Sequence, residues 1–263
     1  MSTPEQLREL AEFVARRAAA LVREHAAGVV EVAATKSSDI DVVTLADRAS
    51  EELIRRLVLE ARPQDGFLGE EGNHIVGSSG VRWIVDPIDG TVNFLYGLGE
   101  YAVSVAAERD GEVVAGVVLD VSRDVVYAAC VDGQAMRDGV PISVRGPAAM
   151  SHRLIATGFH YTQPVRRIQA MAVAQLLPHV RDIRRTGSCA LDLCRVAAGT
   201  LDGYVEEGVH DWDHAAGGLI ARAAGARTLI TRGAGGQAAM VCAPDHGFDE
   251  LLRAVEQAGF LRQ

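Results

Sequence analysis

Aromatic residues, paired cysteines and long apolar runs are all scarce in this chain of 263 residues. Phe, Trp and Tyr make up only 5% of it while hydrophobic residues make up 48%, so aliphatic side chains must fill most of any core. The longest clear apolar stretch, residues 113–119, is too short to span a bilayer. The first residues carry Glu and Arg where a secretory signal would be apolar. We therefore expect a cytoplasmic protein with no membrane partner.

The four cysteines include no Cys-x-x-Cys pair, which argues against a zinc site and against a disulfide framework. The formal net charge of -9 disfavours direct binding to a nucleic-acid backbone, because that binding needs clustered Lys and Arg. An anionic substrate is still compatible with this charge, because bound cations can reverse the local sign.

Hydrophobic periodicity predicts helices in the first part of the chain and strands in the middle. Residues 3–6 form a capping box that opens the first helix, a polar loop covers 36–41, and a second helix runs from 44 to 62. Strands are predicted at 66–69, 81–85, 101–108, 113–121 and 124–131, with an Asp110-Gly111 hairpin. Strands at 153–157, 202–206 and 239–243 then alternate with helices at 164–177, 191–198, 213–224 and 248–258. We expect an N-terminal part (1–147) and a C-terminal part (148–263) that share one continuous structure.

The most informative segment is Asp86-Pro87-Ile88-Asp89-Gly90-Thr91, which directly follows an apolar strand. Gly90 allows a tight turn with close backbone approach to a ligand, and Thr91 is a candidate helix N-cap. Carboxylates that hold cations, followed by backbone N–H groups that hold an anion, indicate a site for a metal-bound phosphate.

Four acidic residues, Glu70, Asp86, Asp89 and Asp213, stand at predicted element ends, where functional residues commonly collect. Brought together, they would repel one another unless cations neutralised them, and oxygen ligands without His or Cys suit Mg²⁺. Each residue alone is more often a cap, a turn residue or a solvated group. Likewise Trp212 alone is more often core than a binding platform. Only the full six-residue string is specific.

Three segments occur in order: Gly69-Glu70-Glu71, then residues 83–94 with the six-residue string at their centre, then Trp212-Asp213. Together they resemble the inositol monophosphatase family of Mg²⁺-dependent, lithium-sensitive phosphatases. The resemblance extends from Lys36 to the C-terminal helix. It implies a layered αβαβα sandwich of mixed α/β class, usually a homodimer.

The resemblance also implies roles for individual residues of this sequence. The metal ligands would be Glu70, Asp86, Asp89, Asp213 and the carbonyl of Ile88, and Glu70, Asp47 and Thr91 would activate the attacking water. Lys36 would lie in a loop beside the site, with Asp41 as an outer contact of the metal centre. The substrate would meet Asp89, Gly90, Thr91, Gly187, Ser188, Cys189, Glu206 and Asp213, with Glu206 on an inositol hydroxyl.

The function so implied is hydrolysis of myo-inositol 1-phosphate by metal-activated water, with two to three Mg²⁺ ions and Li⁺ as an inhibitor. The same fold and metal site also serve histidinol phosphate, fructose 1,6-bisphosphate and 3′-phosphoadenosine 5′-phosphate, so a sugar or polyol phosphate is expected in general. A function of another class is partnership with the transcription machinery, as in some bacterial members. The intact ligand positions favour the enzyme, and a purely structural role has little support.

A few features depart from the family pattern, and a few others are only weak signals of function. Gly225-Ala226 replaces a Gly-Gly pair, for which we expect a packing adjustment only, and Cys189 replaces a smaller residue, where a backbone contact would survive. The segment between Gly72 and Val81 is short, which predicts less cover over one side of the site. Arg184-Arg185 could attract phosphate, but we prefer the interpretation of a solvated strand end. Likewise His214 beside Asp213 could touch the site, but we interpret it and the other scattered histidines as structural.

Overall fold

The computed structural model describes residues 2–28, 30–36, 41–72 and 74–262, so most of the predicted polar loop at 36–41 lies outside the described residues. Within these ranges the helices are α1 (Pro4–Ala26), α2 (Leu45–Ala61), α3 (Thr91–Leu95), α4 (Gln163–Leu176), α5 (Cys189–Ala197), α6 (Asp211–Ala223) and α7 (Asp245–Ala258). None of these helices combines the length and apolarity needed to cross a membrane.

The described residues form fifteen strands. They are β1 (Val32–Thr35), β2 (Val42–Thr44), β3 (Gly66–Gly69), β4 (His74–Ile75), β5 (Val81–Asp89), β6 (Ala102–Arg109), β7 (Glu112–Asp120), β8 (Val125–Cys130), β9 (Met136–Arg137), β10 (Val140–Pro141), β11 (Leu154–Thr157), β12 (Asp182–Arg184), β13 (Gly203–Glu207), β14 (Ala226–Arg232) and β15 (Ala238–Pro244).

Two main sheets organise the molecule. The first has eight strands in the order β10-β9-β8-β7-β6-β5-β3-β4 and is antiparallel except where β3 runs parallel to β5. The second has five strands in the order β12-β11-β13-β15-β14, with β11 parallel to both β12 and β13. The pair β1-β2 stands apart as a small two-stranded sheet.

Three apolar clusters separate five layers of structure. The first cluster lies between α1-α2 and the eight-stranded sheet. The second fills the space between the two sheets, where α5 and α6 are sandwiched. The third packs α4 and α7 on the outer face of the five-stranded sheet. This order of layers confirms the predicted αβαβα sandwich, and aliphatic residues and alanine make up most of each cluster.

Local signals placed several elements correctly. Thr3 and Gln6 form the predicted capping box, and Thr44 caps α2 with its hydroxyl. Asp110 and Gly111 both have positive φ, at 53° and 85°, which is the backbone of the tight hairpin turn predicted between β6 and β7. Gly225 has φ 98° beyond α6, and Ala226 begins β14, so the second glycine of the family pattern is replaced where an ordinary backbone suffices.

Seven strands were missed by the sequence analysis, and two of them, β12 and β14, form the edges of the five-stranded sheet. β12 has only three residues, of which two are charged, and it lies at the edge of its sheet. β14 forms the other edge, with half-exposed Thr and Arg among its residues. Edge strands carry weak hydrophobic patterns because one side and part of each face are solvated, so periodicity does not detect them.

Candidate active site

Strand β5 carries the two aspartates of the central motif and is longer than predicted, ending at Asp89 instead of residue 85. Asp86 pairs with Ser104 and Asp89 pairs with Ala102, so three steps along β5 match two steps along β6. One extra residue is therefore accommodated as a bulge. Because successive side chains alternate faces, residues three apart would point to opposite faces in a regular strand, and the bulge can bring both carboxylates to one side.

Asp89 bridges from β5 to the start of α5. Its carboxylate accepts hydrogen bonds from the backbone N–H of Cys189 at 3.2 Å, from that of Ala190 at 2.7 Å, and from the Ser188 hydroxyl. Ser188 is buried and also caps α5, so its side chain serves Asp89 and does not face the cavity. Asp86 is buried beside it and accepts from the backbone N–H of Ile88 at 3.0 Å.

Glu70 follows β3, which lies parallel to β5, and its N–H donates to the carbonyl of Val85 at 3.2 Å. The Lys36 ammonium lies 2.7 Å from Glu70 Oε1 and 2.7 Å from Glu71 Oε1. The other oxygen, Glu70 Oε2, is buried and has no hydrogen-bond partner among the described residues. A buried carboxylate oxygen without a partner is costly unless something outside the chain binds it.

Asp47 and Thr91 meet behind the motif. Asp47, at the start of α2, accepts from the Thr44 N–H at 2.8 Å, and its other oxygen lies 3.1 Å from Thr91 Oγ1. The Thr91 hydroxyl also lies 3.0 Å from the carbonyl of Ile88, so it can donate to either oxygen. The prediction that Thr91 is an N-cap is wrong, because it is the first residue of α3 and Gly90 holds the capping position.

The Gly90 turn requires glycine. Its φ is 96°, and an added Cβ would lie 2.7 Å from the carbonyl oxygen of Glu100 and 3.2 Å from that of Gly187. Asn93 fixes the same region, since its amide donates to the carbonyls of Glu100 at 2.7 Å and Thr186 at 2.9 Å. The turn is thus packed directly against the segment that leads into α5.

Asp213 and Glu206 come from the second sheet and its neighbouring helix. Asp213 accepts from the His210 N–H at 2.6 Å as the third residue of α6, which begins at Asp211 and not at 213 as predicted. Glu206 on β13 accepts a hydrogen bond from the Tyr204 hydroxyl at 2.8 Å.

Burial and mutual repulsion raise the pKa values of the three aspartates Asp86, Asp89 and Asp213. The pKa of Asp86 is raised well above its usual range by burial first and then by the charges of Glu70, Asp89 and Asp213. Burial likewise raises the pKa of Asp213 well above its usual range and that of Asp89 to about 7. Nearby positive charge would relieve this repulsion and hold the carboxylates ionised.

The donor set fits a hard divalent cation, because it consists of carboxylate oxygens and a carbonyl and includes the unpartnered Glu70 Oε2. As the side chains stand, however, no three His, Cys, Asp or Glu side chains within the described residues meet closely enough to enclose one ion. Lys36 forms an ion pair with Glu70, one of the four acidic residues of the cluster. The chemistry of the residues therefore agrees with a metal centre, and their orphaned oxygen points to one.

These groups line one cavity of about 370 Å³, a size suited to a small phosphorylated ligand. The predicted residues among its lining are Lys36, Asp41, Glu70, Asp86, Ile88, Asp89, Gly90, Thr91, Gly187, Cys189, Glu206 and Asp213. Asp47 and Ser188 lie outside the lining and reach the site through Thr91 and Asp89. The Cys189 thiol is buried, as expected, and its backbone N–H donates to Asp89, so the expected backbone contact with the substrate stays a prediction.

Other lining residues were not predicted. Arg184 and Arg185 are both exposed at the end of β12, which confirms the predicted solvated strand end, and Arg184 pairs with Asp182 while Arg185 also lines the cavity. Trp212 packs against the core between the sheets and also lines the cavity, where His210 stacks on it at 4.9 Å between ring centroids. The loop 159–161 adds Phe, His and Tyr side chains. Their sequence surroundings hold no spacing signal, and only the fold brings them to the site.

Comparison with known proteins agrees with this architecture. The model of the inositol monophosphatase family matches residues 3–259. The inositol-1-monophosphatase SuhB of Mycobacterium tuberculosis is 44% identical over 274 aligned positions, which cover 97% of this chain and 94% of that protein.

Two further relatives extend the comparison. The crystal structure of the suhB protein of Bartonella henselae is 33% identical with a TM-score of 0.88 and covers 95% of this chain and 98% of that one. The Nus factor SuhB of Pasteurella multocida is 38% identical over 193 positions, covering 73% and 72% of the two chains. From the family match across nearly its whole length, this chain belongs to the inositol monophosphatase family of phosphatases.

Proposed function

We propose that the protein is a Mg²⁺-dependent phosphomonoesterase whose preferred substrate is myo-inositol 1-phosphate. The observation that carries the proposal is one cavity lined by Glu70, Asp86, Asp89, Asp213 and Gly90, in which Glu70 Oε2 is buried without a hydrogen-bond partner among the described residues. Carboxylates in this number repel one another without cations, and a phosphate ester is the ligand that such bound cations attract.

Each residue has a defined task in this hydrolysis. When bound, divalent ions supply the positive charge that lowers the pKa of a water molecule and stabilises the departing oxygen, and Li⁺ would inhibit by replacing one ion. Glu70, Asp86, Asp89 and Asp213 would hold them. The linked Asp47 and Thr91 would orient the attacking water and receive its proton, since burial raises the pKa of Asp47 to about 6 and makes it a competent base near neutral pH. The backbone of Gly90 would meet the phosphate oxygens.

The choice of inositol 1-phosphate as substrate is supported by other residues, Glu206 and Tyr204. Glu206 lines the cavity from β13 of the second sheet and is held by Tyr204, so it would offer a positioned acceptor to the alcohol part of a substrate. A polyol offers hydroxyl donors to such a group. The mycobacterial relative carries the name inositol-1-monophosphatase, which supports the same substrate. Histidinol phosphate, fructose 1,6-bisphosphate and 3′-phosphoadenosine 5′-phosphate are the competing candidates.

The first test is phosphate release from these four compounds with and without Mg²⁺. We expect turnover only with Mg²⁺ and the highest kcat/KM on inositol 1-phosphate. A preference for one of the other three would keep the reaction and replace the substrate. Absence of turnover on all four would contradict the enzymatic proposal.

A Glu206→Gln variant tests the contact with the polyol. Loss of a charged acceptor for a substrate hydroxyl is worth roughly 1.5–3 kcal/mol, so we expect kcat/KM for inositol 1-phosphate to fall about 10- to 100-fold. An aryl phosphate, which has no hydroxyl to offer, should lose much less. Tyr204→Phe is the matched control, because it removes the hydrogen bond to Glu206 and leaves the carboxylate. Equal losses on both substrates for Glu206→Gln would contradict the assignment.

A second candidate function is favoured by one finding. A relative that is 38% identical is named a Nus factor, which supports a role as a protein partner in transcription. All proposed ligand positions nevertheless carry oxygen donors here, and the formal net charge of -9 disfavours direct contact with RNA. The role as a transcription partner would exist beside the enzymatic activity. A pull-down that retains no transcription proteins would contradict this second role.

A further inference from the structure

Gln169 is a buried polar residue on a helix face that is otherwise apolar. The helix α4 buries Val165, Ala172 and Leu176, and Gln169 lies on the same face with only 2% of its surface exposed. Steps of three and four residues place these positions on one side of a helix. A buried amide costs free energy unless both of its ends are hydrogen-bonded, and an apolar residue would avoid that cost. We therefore expect the glutamine to hold something that an apolar residue could not.

The amide of Gln169 connects two segments that line the cavity. Its carbonyl oxygen accepts a hydrogen bond from the backbone N–H of His160 at 2.9 Å, and its amino group donates to the backbone carbonyl of Glu207 at 3.0 Å. His160 and Glu207 both line the cavity, whereas Gln169 lies outside the lining. The side chain thus connects the loop 159–161 to the end of β13 without reaching the cavity itself.

Two glycines let the loop pack directly against the end of β13. An added Cβ at Gly158 would collide with the carboxylate of Glu206, and one at Gly208 would lie 2.5 Å from Cδ2 of His160. The loop has support of its own as well, since the Thr162 N–H donates to Nδ1 of His160 at 3.0 Å. Close packing therefore sets how near the loop lies to β13, and the Gln169 hydrogen bonds hold it there.

This loop lies at the part of the cavity where the alcohol of a substrate would bind. Phe159, His160 and Tyr161 line the cavity together with Glu206, which we assign to a polyol hydroxyl. A binding site that is looser by about 1 Å loses much of its effect, because its groups no longer meet the ligand at hydrogen-bond distance. The position of the loop relative to Glu206 would therefore decide which alcohols fit.

We propose that Gln169 is a positioning residue that determines specificity for compact polyol phosphates by fixing the loop 159–161 against Glu206 and Gly208. This inference rests on the proposed phosphatase function and deepens it, because it names the group that sets the shape of the alcohol end of the cavity. Gln169 acts through the loop and contacts neither the reacting phosphate nor the acidic cluster. Loss of its amide should weaken binding of the alcohol part and leave the hydrolysis itself unchanged.

The test is Gln169→Met, because methionine has a similar length and lacks both the N–H donors and the carbonyl acceptor. We expect KM for inositol 1-phosphate to rise about 5- to 10-fold, the equivalent of roughly one neutral hydrogen bond. The kcat on this substrate, and the KM for 4-nitrophenyl phosphate, which offers no hydroxyl, should change less than about twofold, since only binding of the alcohol is weakened. Hydrogen–deuterium exchange of the backbone amides at 158–162 should become faster.

Ala172→Gly is the matched control, because Ala172 is buried on the same face of α4 and glycine destabilises a helix without removing a contact to the loop. It should lower the melting temperature and leave the KM ratio of the two substrates and the exchange at 158–162 at wild-type values. A role of Gln169 in stability alone would give this same result for Gln169→Met.

Three outcomes would overturn the proposal. Equal changes of KM on the two substrates in Gln169→Met, or unchanged amide exchange at 158–162, would show that Gln169 does not position the loop. Wild-type protein that turns over neither substrate would contradict the proposed phosphatase function and the role in specificity with it. Turnover by the wild-type protein with an unshifted ratio in Gln169→Met would contradict the role of Gln169 alone.

Discussion

Replacing Asp89 with Asn is expected to lower the Mg²⁺-supported phosphatase activity by at least about 10²- to 10³-fold, the loss typical when a group that stabilises developing charge is removed. The substitution keeps the shape of the side chain and removes its negative charge. One carboxylate oxygen also becomes an amide that faces the N–H of Ala190 or Cys189, where two donors then oppose each other. Activity at saturating Mg²⁺ measures the loss in kcat.

A misfolded variant would show the same loss of activity, so the stability of Asp89→Asn must be measured separately. The opposed donors should cost roughly 1–3 kcal/mol in the free energy of unfolding. Mg²⁺ should raise the melting temperature of the wild-type protein, because a ligand that binds only the folded state stabilises it, and this rise should shrink in Asp89→Asn.

Ser188→Ala is the matched control for Asp89→Asn, since it removes one donor to the same carboxylate and leaves the charge in place. It should keep most of the activity and most of the stabilisation by Mg²⁺. Near-wild-type kcat in Asp89→Asn at saturating Mg²⁺ would show that Asp89 only caps α5.

The central motif could be predicted from sequence because its signals are local. An apolar run followed by two carboxylates and a glycine predicts a strand, a turn and a cation site, and the structure has Asp86, Asp89 and Gly90 lining the cavity at the end of that strand. The bulge between Asp86 and Asp89 could not be predicted from the local sequence. It arises from the register in which β5 pairs with β6. Gly90, with its positive φ, occupies the N-cap position that was predicted for Thr91. This backbone conformation depends on the folded turn and could not be predicted from the sequence.

Several other residues of the cavity lining were missed for a different reason. Arg185, His160 and His210 come from loops that flank β11, β12 and β13, and these loops meet only because the parallel strands β11–β13 and β11–β12 end at one edge of the second sheet. A pair of arginines after a short polar strand has the same local pattern whether its side chains face solvent or a ligand. Their different surroundings depend on contacts between segments distant in sequence, which one sequence does not contain.

Replacing Gly90 with Ala should damage both stability and activity. The residue has φ 96°, which a side chain strains, and the new Cβ would lie 2.7 Å from the Glu100 carbonyl oxygen, a backbone atom that cannot rotate away. We expect the free energy of unfolding to fall by about 1–3 kcal/mol. The turn must also shift away from Glu100, and a displacement near 1 Å at a phosphate-positioning turn costs roughly 10²-fold in rate. Denaturant unfolding and kcat/KM measure the two effects.

Gly259→Ala separates the clash from the backbone conformation. Gly259 ends α7 with φ 89° and has no atom within 4 Å of an added Cβ, so it bears the same conformational strain far from the site. It should lose stability to a smaller extent and keep wild-type kcat/KM. If Gly90→Ala lost no more stability than Gly259→Ala and retained its activity, the turn would tolerate a side chain. The phosphate would then have to be held by groups other than the Gly90 backbone, which would move the anion site toward Thr91 and the segment before α5.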